Sequence, residues 1–595
     1  MPGLRTLRHG ARTRDHRWRH RLPIPVIWIG SVLLVRLVHL TLIGDAAVPF
    51  NNARLIVQAK AVVCHGLENA FFSVPPAANL LLAGLAYVSN LSAGDAFFLL
   101  ALTLHVLLAV SFWYWLSAMR WPAEINRLAM WVFVWLPVFN SYEGFDNISV
   151  LGAAAGFLTM VGSPHRLARA DRIGPKACCA VLFPTAAMVM FRAEYLLFTS
   201  LYLVIWASCP WITHRYRALS RVSLRRIGSA GLVLICGFGF GVGLTIWIRG
   251  VSSGEYLLAG RGYSCWTLLD GVPLSWMPTE DHSYTARVRV ARRYFGDPAD
   301  YDYSLVRMVV AHPGTIAVKM LHNLPRWLSE LGRRHVVLPV PAMAVLLTGL
   351  FWMARSRRRR HTCLQLMATI VMTIPVTVLY THAEYMTPAF VGATVGIACG
   401  LAFFSRRVVS ACTVLGVPLT RRWATRICLT LFCLSMEGLL LRGGGLFADF
   451  QSRRAIAKTI DETLESIQVR TVWLDPYSME LDSYSRADIR NRIAQFSDWR
   501  AQQAQVSSSL PWPSSTVTID VMDLVDRRSF DGQPALPVVL WDDSENARQV
   551  CQNRKASWSR HGYTEVITVN SDHPHRPFTV MVLMPATVVS GASDE

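Results

Sequence analysis

An aspartate at the end of the first long apolar run could act as a base. Asp45 follows the run 22–43, where a carboxylate stays in contact with water and still faces anything held in a lipid layer. Such a carboxylate can take a proton from an attacking hydroxyl, which is general base chemistry. An ordinary solvated charge beside an apolar segment is the alternative, and spacing alone leaves both interpretations open.

Two further acids lie in a very short connection between apolar runs. Glu143 and Asp146 occur in the string SYEGFDN, 141–147, between the runs 124–141 and 148–162. Acids this close to a bilayer are costly unless they serve a site or a cation. Their oxygens could orient an acceptor or bind a divalent ion such as Mg²⁺ or Mn²⁺. A solvated turn is the alternative.

Polar side chains at the ends of other apolar runs could bind phosphate. Arg192 and Glu194 stand in MFRAEYLLF, and a guanidinium can form two parallel hydrogen bonds to a phosphate. Snorkelling of Arg192, or its pairing with Glu194, is the alternative. In YTHAEYMTP, His382 could contact phosphate with Glu384 and Tyr385 beside it, unless the three belong to an interfacial belt.

The remaining candidates form looser patterns. Arg261, in the polar segment 250–334, is one more phosphate candidate, although a solvated loop charge is the simpler interpretation. The twelve cysteines include no CxxC pair, and we expect no metal site built from them.

The composition indicates the kind of structure that holds these candidate residues in place. The chain has 595 residues, of which 52% are hydrophobic and 16% charged, against about 25% charged in a soluble domain. This excludes a disordered chain, a collagen-like fibre and a disulfide-dense miniprotein, and argues against one soluble globule. The net charge of +20 is carried by short arginine clusters between long apolar runs. That pattern is typical of a polytopic membrane protein, and we expect no nucleic-acid partner.

Twelve apolar runs are candidate membrane spans, and the arginine clusters indicate how many cross. The runs are 22–43, 75–91, 96–118, 124–141, 148–162, 177–191, 194–212, 227–249, 335–354, 363–381, 385–405 and 427–444. If all cross, the basic segment 166–176 lies outside, against the positive-inside rule. If the short run 75–91, which opens with Pro75 and Pro76, stays at the outer surface, every short arginine-rich loop lies inside. We therefore predict eleven crossings, a cytoplasmic N-terminus at 1–21 and no cleavable signal peptide.

The outer side of this topology is formed by three loops and a final domain. The loops are 44–95, 141–147 and 250–334. The last contains 304–331, whose helical periodicity, interrupted at two prolines, predicts helices along the membrane surface. Cys64 and Cys265 are both expected outside, where a disulfide between them could form in an oxidising compartment.

The predicted fold class is thus a polytopic α-helical membrane domain, 22–447, followed by an extracytoplasmic α/β domain, 448–595. The second domain opens with a helical pattern at 455–467. Its β-like runs are 469–474, 516–522, 537–541, 565–569 and 578–584. It has no nucleotide-binding glycine motif, and we interpret it as an accessory domain that faces a carbohydrate or a partner.

Several short motifs, taken in order over residues 22–405, resemble the GT-C superfamily of glycosyltransferases, which use polyprenyl-phosphate sugars. The motifs are GD at 44–45, PP at 75–76, YEGFD at 142–146, FRAEYLL at 191–197, AHPGTIAVKML at 311–321 and EYMTP at 384–388. Similar families are the protein mannosyltransferases, aminoarabinose transferases and arabinofuranosyltransferases. The resemblance implies a GT-C-like membrane domain and an enzyme that transfers a hexosyl or pentosyl group.

The resemblance also implies roles for residues at matching positions. Asp45 takes the place of the first-loop acid, which acts as the catalytic base or orients the acceptor. Glu143 and Asp146 take the place of the second-loop acids, and Arg192 that of an arginine that holds the donor phosphate.

Two positions depart from the pattern of that superfamily. Many relatives have a second acid where Ala46 follows Asp45, and many have arginine where Glu384 stands. The identity of the phosphate-binding group is therefore open, and His382 and Arg261 are the candidate substitutes.

The implied partners are a polyprenyl-phosphate sugar, membrane lipids and an extracytoplasmic glycan, lipid or protein acceptor, at the inner (plasma) membrane. No cofactor is certain, and Mg²⁺ or Mn²⁺ is the candidate. The alternatives are a transporter or flippase for a lipid-linked sugar, and a non-catalytic cell-envelope scaffold. A transporter would favour paired buried charges and two related halves. Glu437 is the one clear mid-span acid, and no such repeat is visible.

Overall fold

A computed structural model of the chain describes most of the membrane domain and much of the C-terminal domain. The described residues are 27–34, 76–89, 93–119, 121–136, 148–167, 175–192, 195, 198–202, 204, 221–253, 268–276, 284–331, 340–355, 360–378, 386–440, 446–475, 481, 488–489, 536–572 and 577–585, apart from single positions within these ranges.

Fifteen helices and five strands are labelled among these residues. The helices are α1 (Pro76–Ser89), α2 (Ala93–Met119), α3 (Ala123–Trp135), α4 (Ile148–Leu167), α5 (Pro175–Phe191), α6 (Arg221–Ser253), α7 (Tyr284–Phe295), α8 (Leu305–Ala311), α9 (Pro313–Leu331), α10 (Val340–Arg355), α11 (Arg360–Val371), α12 (Thr387–Val414), α13 (Arg421–Leu440), α14 (Leu446–Ser466) and α15 (Ala547–Ser559). The strands are β1 (Thr471–Asp475), β2 (Asp488–Ile489), β3 (Val538–Asp542), β4 (Tyr563–Ser571) and β5 (Phe578–Pro585).

Long apolar helices build the region that the sequence assigns to the membrane. Within the described ranges, three segments are long and apolar enough to cross a bilayer: Leu99–Met119, Gly231–Ile248 and Pro388–Val414. The polytopic helical character expected from the composition is present, and the count of eleven crossings stays a prediction. The described part of the first predicted span, 27–34, is helical, and the Trp28 indole donates to the Met130 carbonyl of α3 at 2.7 Å.

The short helix α1 belongs to the same core. Ala78 and Leu82 are fully buried within it. Its 14 residues correspond to about 21 Å, which is less than the roughly 30 Å of a hydrocarbon layer. The placement of this run at the outer surface remains a prediction.

Side-chain contacts give the relative directions of α2 and α4. Thr159 donates to Ser111 at 3.0 Å, and one helical turn further Tyr114 and Ser163 are 3.4 Å apart. From the first pair to the second, the residue numbers rise in both helices, so α2 and α4 are parallel. α3 begins at Ala123, shortly after α2 ends at Met119, and Phe133 near its end stacks on Phe112 of α2 with ring centroids 4.7 Å apart, so α3 runs the opposite way.

Glycine contacts give the directions of α5 and α6. Gly152, near the start of α4, lies against the ring of Phe191 at the end of α5, so these two helices are antiparallel. Gly237 of α6 lies against Leu182 and Gly241 lies against Ala186, so α5 and α6 are parallel. An added methyl group at Gly241 would overlap the backbone of α5, which explains why a glycine is needed at this close approach.

The last membrane helices follow the same alternation. Leu346 of α10 lies beside Gly396 of α12, and Trp352 lies beside Phe403, with ring centroids 6.2 Å apart. These pairs also advance together, so α10 and α12 are parallel. α13 begins with Arg421, after a connection of six residues from the end of α12, and packs back against α12.

An ion pair shows which helix ends lie together. Glu124, in the first turn of α3, pairs with Arg421, in the first turn of α13, with Oε1 to Nε at 3.2 Å. The starts of α3 and α13 and the ends of α10 and α12 therefore form one end of the bundle, which we call the arginine end. The ends of α3, α5 and α6 and the start of α4 lie at the opposite end. The ion pair places the basic segments around Glu124 and Arg421 at the same end of the bundle, and the prediction that the short arginine-rich loops lie in the cytoplasm stays a prediction.

A small cluster, the loop subdomain, follows α6. Its core contains Leu268, Leu269, Val272, Val290, Ala291, Phe295, Met308 and Ile316. The amphipathic stretch of the sequence forms two helices, α8 and α9, which meet at His312. The outward side of α9 is apolar, with Val318, Leu321 and Leu328 exposed. This fits a helix on a membrane surface, and its placement there stays a prediction.

The C-terminal domain is a five-stranded sheet between two helices. The strand order is β2-β1-β3-β5-β4, in which β1 pairs parallel with β2 and β3, and the other pairs are antiparallel. One face packs on α14 through Ile456 and Ile460, and the other packs on α15 through Cys551 and Trp558. Four of the five predicted strands are found, and the run 516–522 lies outside the described residues.

Candidate functional site

The opposite end of the bundle contains a buried arginine. Arg192 directly follows α5 and is 8% exposed. Its backbone amide donates to the Met188 carbonyl at 2.9 Å, and its carbonyl accepts from the Tyr195 amide at 3.3 Å. The chain therefore turns at Arg192.

Aromatic side chains surround the segment after this turn. Tyr195 and Tyr202 both meet the ring of Phe157 edge-on, with centroids 5.9 and 6.2 Å apart. The Thr199 hydroxyl lies 3.5 Å from the Met188 sulfur, so the segment packs back on α5. These buried contacts fix the backbone that presents Arg192 to this end of the bundle.

The start of α4 lies at the same end of the bundle. Ile148 begins α4 directly after the string 141–147, and Gly152 of α4 contacts Phe191, next to Arg192. The described start of α4 therefore lies beside the end of α5, close to Arg192. Glu143 and Asp146 themselves lie outside the described residues.

Arg192 is the one sequence-predicted site residue that the structure places. The others lie outside the described residues: Asp45, Glu143, Asp146, Glu194, Arg261, His382, Glu384 and Tyr385, together with Cys64 and Cys265. Within the described ranges, no group of three or more His, Cys, Asp or Glu side chains could hold a metal ion. The Mg²⁺ or Mn²⁺ ion stays a prediction.

A second buried cation was not anticipated from the sequence. Lys319 of α9 is fully buried, its ammonium donates to the Leu268 carbonyl, and it lies 5.8 Å from the centroid of Phe295. Its position on the apolar side of the helix, three residues after Ile316, is the signal that could have identified it. A lysine on that side has to be desolvated when the helix packs.

The C-terminal domain has polar contacts of a structural kind. The Trp558 indole donates to Asp475 at 2.9 Å, and Arg453 lies 4.7 Å from the ring centroid of Trp541. Cys551, one of the cysteines outside the membrane helices, is buried beneath α15. Burial, with Asp542 nearby, raises the pKa of its thiol to about 12, so it has little thiolate character at neutral pH.

Comparison with known proteins indicates the fold. No protein-family model and no curated protein matches the chain. The structure is similar to that of ArnT from Cupriavidus metallidurans bound to undecaprenyl phosphate, with a TM-score of 0.50 and 12% identity over 94% of this chain and 97% of ArnT. It is equally similar to ArnT in the apo state, with a TM-score of 0.50 and 13% identity over 95% and 98%.

An archaeal structure is also similar. It is the oligosaccharyltransferase AglB from Archaeoglobus fulgidus in complex with an inhibitory peptide and a dolichol-phosphate, with a TM-score of 0.45 and 8% identity over 78% of this chain and 64% of AglB. The likeness to ArnT extends over nearly the whole length of both chains. It shows that this chain has a GT-C fold, as the motif resemblance implied.

Proposed function

We propose that the chain is an integral membrane glycosyltransferase that moves a sugar from a polyprenyl-phosphate donor to an extracytoplasmic acceptor. The observation that supports this most is a buried guanidinium, Arg192, at the end of a GT-C fold that lies away from the arginine end. ArnT in the similar structure holds undecaprenyl phosphate, which is the kind of lipid phosphate that such a donor releases.

The proposed reaction needs one base and one anion-binding group. The donor enters from the lipid with its phosphate on Arg192, because a planar guanidinium can pair with two phosphate oxygens. The acceptor hydroxyl gives its proton to Asp45 as its oxygen bonds to the anomeric carbon. The bond from that carbon to the phosphate oxygen breaks, and polyprenyl phosphate leaves with the electron pair. Arg192 stabilises the charge that develops on the leaving group.

The other candidates complete the proposed site. Glu143 and Asp146 orient the acceptor or hold a divalent cation, Mg²⁺ or Mn²⁺. His382 and Arg261 are additional phosphate contacts, because Glu384 stands where many GT-C enzymes have arginine. Glu194, Glu384 and Tyr385 support these groups. The 448–595 domain is proposed to lie outside the cytoplasm, where it faces a carbohydrate or a partner.

A transfer assay tests the proposal. Purified full-length protein in lipid nanodiscs is incubated with a panel of polyprenyl-phosphate sugars and candidate acceptors, and released polyprenyl phosphate is measured. We expect release with at least one sugar, and loss of release in Asp45→Asn. Folded wild-type protein that releases no lipid phosphate across the panel would contradict the proposal. Movement of lipid-linked sugar across vesicles without release would support a transporter instead.

A further inference from the structure

Helix α9 carries three buried hydrogen-bond donors on one side. Lys319, Asn323 and Trp327 are spaced by four residues and are 0%, 3% and 5% exposed. Residues four apart share one face of a helix. This stripe faces inward, while the outward side of the same helix is apolar and exposed.

The stripe bonds to the first of two separate chain segments, 268–276 of the loop subdomain. The Lys319 ammonium donates to the Leu268 carbonyl. The Asn323 side-chain amide donates to the Gly271 carbonyl at 3.0 Å. Both acceptors are backbone oxygens, so these bonds hold the path of the segment itself.

The same stripe bonds to the second segment, the turn 372–378 at the end of α11. The Asn323 amide donates to the Thr377 carbonyl at 3.0 Å, and the Trp327 indole donates to the Thr373 hydroxyl at 3.2 Å. Asn323 therefore uses both of its N–H groups, one for each segment. Because both partners are carbonyl oxygens, only the nitrogen of the side-chain amide satisfies them.

We propose that Lys319 and Asn323 are positioning residues for sugar transfer, because Lys319 fixes the segment 268–276 within the loop subdomain and Asn323 joins that segment to the turn 372–378 of the membrane domain in one orientation. This inference rests on the proposed function. The turn 372–378 leads directly into the chain that contains His382, and 268–276 directly follows the chain that contains Arg261. These hydrogen bonds, which we call the joint, therefore connect the two described segments that border those stretches in the sequence.

A buried ammonium is a costly way to fill a core. Removing lysine from water carries a desolvation penalty, and an apolar side chain of similar size at a buried charged position is often neutral or stabilising. If Lys319 only filled space, methionine would serve equally well. A positioning role predicts instead that Lys319→Met keeps the fold and loses transfer, because methionine cannot hold the Leu268 carbonyl.

The test compares Lys319→Met and Asn323→Asp with matched surface variants. The controls are Lys458→Met on α14 and Asn553→Asp on α15, since both parent side chains are exposed. Full-length proteins in nanodiscs are compared for thermal midpoint and for kcat and KM with respect to the donor. We expect kcat/KM about 10- to 100-fold lower in both test variants, mostly through a higher donor KM, with near-wild-type midpoints for Lys319→Met. Lys319→Arg, which keeps a cationic donor, should recover part of the loss.

Three outcomes would overturn the inference. If Lys319→Met and Asn323→Asp stay within twofold of wild type, the joint does not position the reaction. If activity falls only in proportion to the folded fraction, and Lys319→Arg behaves like Lys319→Met, the role is structural. If wild type itself releases no lipid phosphate, the proposed function fails and this role fails with it, which distinguishes the two. Should Asn323→Asp not fold, the two Lys319 variants decide.

Discussion

Positively charged side chains have different surroundings at the two ends of the membrane bundle. At the arginine end, four arginines lie over aromatic rings, at 4.9 to 5.6 Å from the ring centroids: Arg355, Arg407 and Arg426, which are exposed, and Arg406, which is half-buried. Arg421 pairs with Glu124 and its side chain is still 47% exposed. At the opposite end, Arg192 is 8% exposed, and in the loop subdomain Lys319 is fully buried.

The difference in exposure suggests different roles for the cations at the two ends. An exposed cation on a ring contributes about 0.5–1 kcal/mol, and its head stays in water, so another cation nearby can replace it. A buried cation carries a desolvation penalty and has to be compensated by particular partners. The many exposed arginines therefore indicate an end of the bundle where cations anchor the helices at the surface. The buried arginine indicates the end where we place the reaction.

The largest effect is expected at Asp45, the base of the proposed reaction. Asp45→Asn keeps the shape of the side chain but cannot accept a proton from the acceptor. We expect transfer to fall by about 10²- to 10⁴-fold, the usual contribution of a positioned base. The control is Asp302→Asn, since Asp302 is an exposed carboxylate of the loop subdomain. Equal activity of the two variants would remove Asp45 from the mechanism.

Removal of one arginine from each end gives the next largest effect. Arg192→Met should lower kcat/KM for the donor by about 10- to 100-fold, because hydrogen bonds to a charged group contribute about 1.5–3 kcal/mol. Arg407→Met, at the arginine end, should leave kcat/KM within twofold of wild type. Steady-state kinetics of both variants test the contrast directly. A larger loss in Arg407→Met would reverse our assignment of the two ends.

An ion pair in the C-terminal domain gives a smaller effect, distant from both ends. Hydrogen bonds from Lys555 and Thr568 lower the pKa of Glu565. A carboxyl whose pKa is lower in the folded state than in the unfolded chain stabilises the fold at pH values above the unfolded pKa, near 4.5. This stabilisation is lost as the pH falls through the folded pKa. Thermal midpoints measured between neutral and acidic pH should fall less in Lys555→Met than in wild type. An equal fall in both would show that this pair contributes nothing.

The smallest effect is expected for the pair that joins two arginine-end helices. A double-mutant cycle with Glu124→Gln and Arg421→Gln should give a coupling free energy below about 1 kcal/mol, because Arg421 is largely solvated. Transfer activity should not change. A coupling several times larger would show that the arginine end is held together by charge, against the contrast drawn above.

Local sequence was sufficient to predict the long apolar helices, the amphipathic helices within 304–331 and four strands of the C-terminal domain. An apolar run long enough for a bilayer and a β-branched run between polar segments carry their signal within a few neighbouring residues. The GT-C resemblance came from motif order, and the fold confirms it. Arg192 could be selected because a single arginine at the end of an apolar run is visible without coordinates.

Only the tertiary structure showed how these parts are joined. The helical spacing of Lys319 and Asn323 after Ile316 places them on the apolar side of an amphipathic helix, but nothing local shows which groups they bond to. Their partners Leu268, Gly271 and Thr377 are more than fifty residues away along the chain. Backbone carbonyls are the same in every residue, so a side chain that bonds to them leaves no trace in the partner's sequence. Burial of a charge is likewise decided by what packs over it, which the chain determines only when it folds.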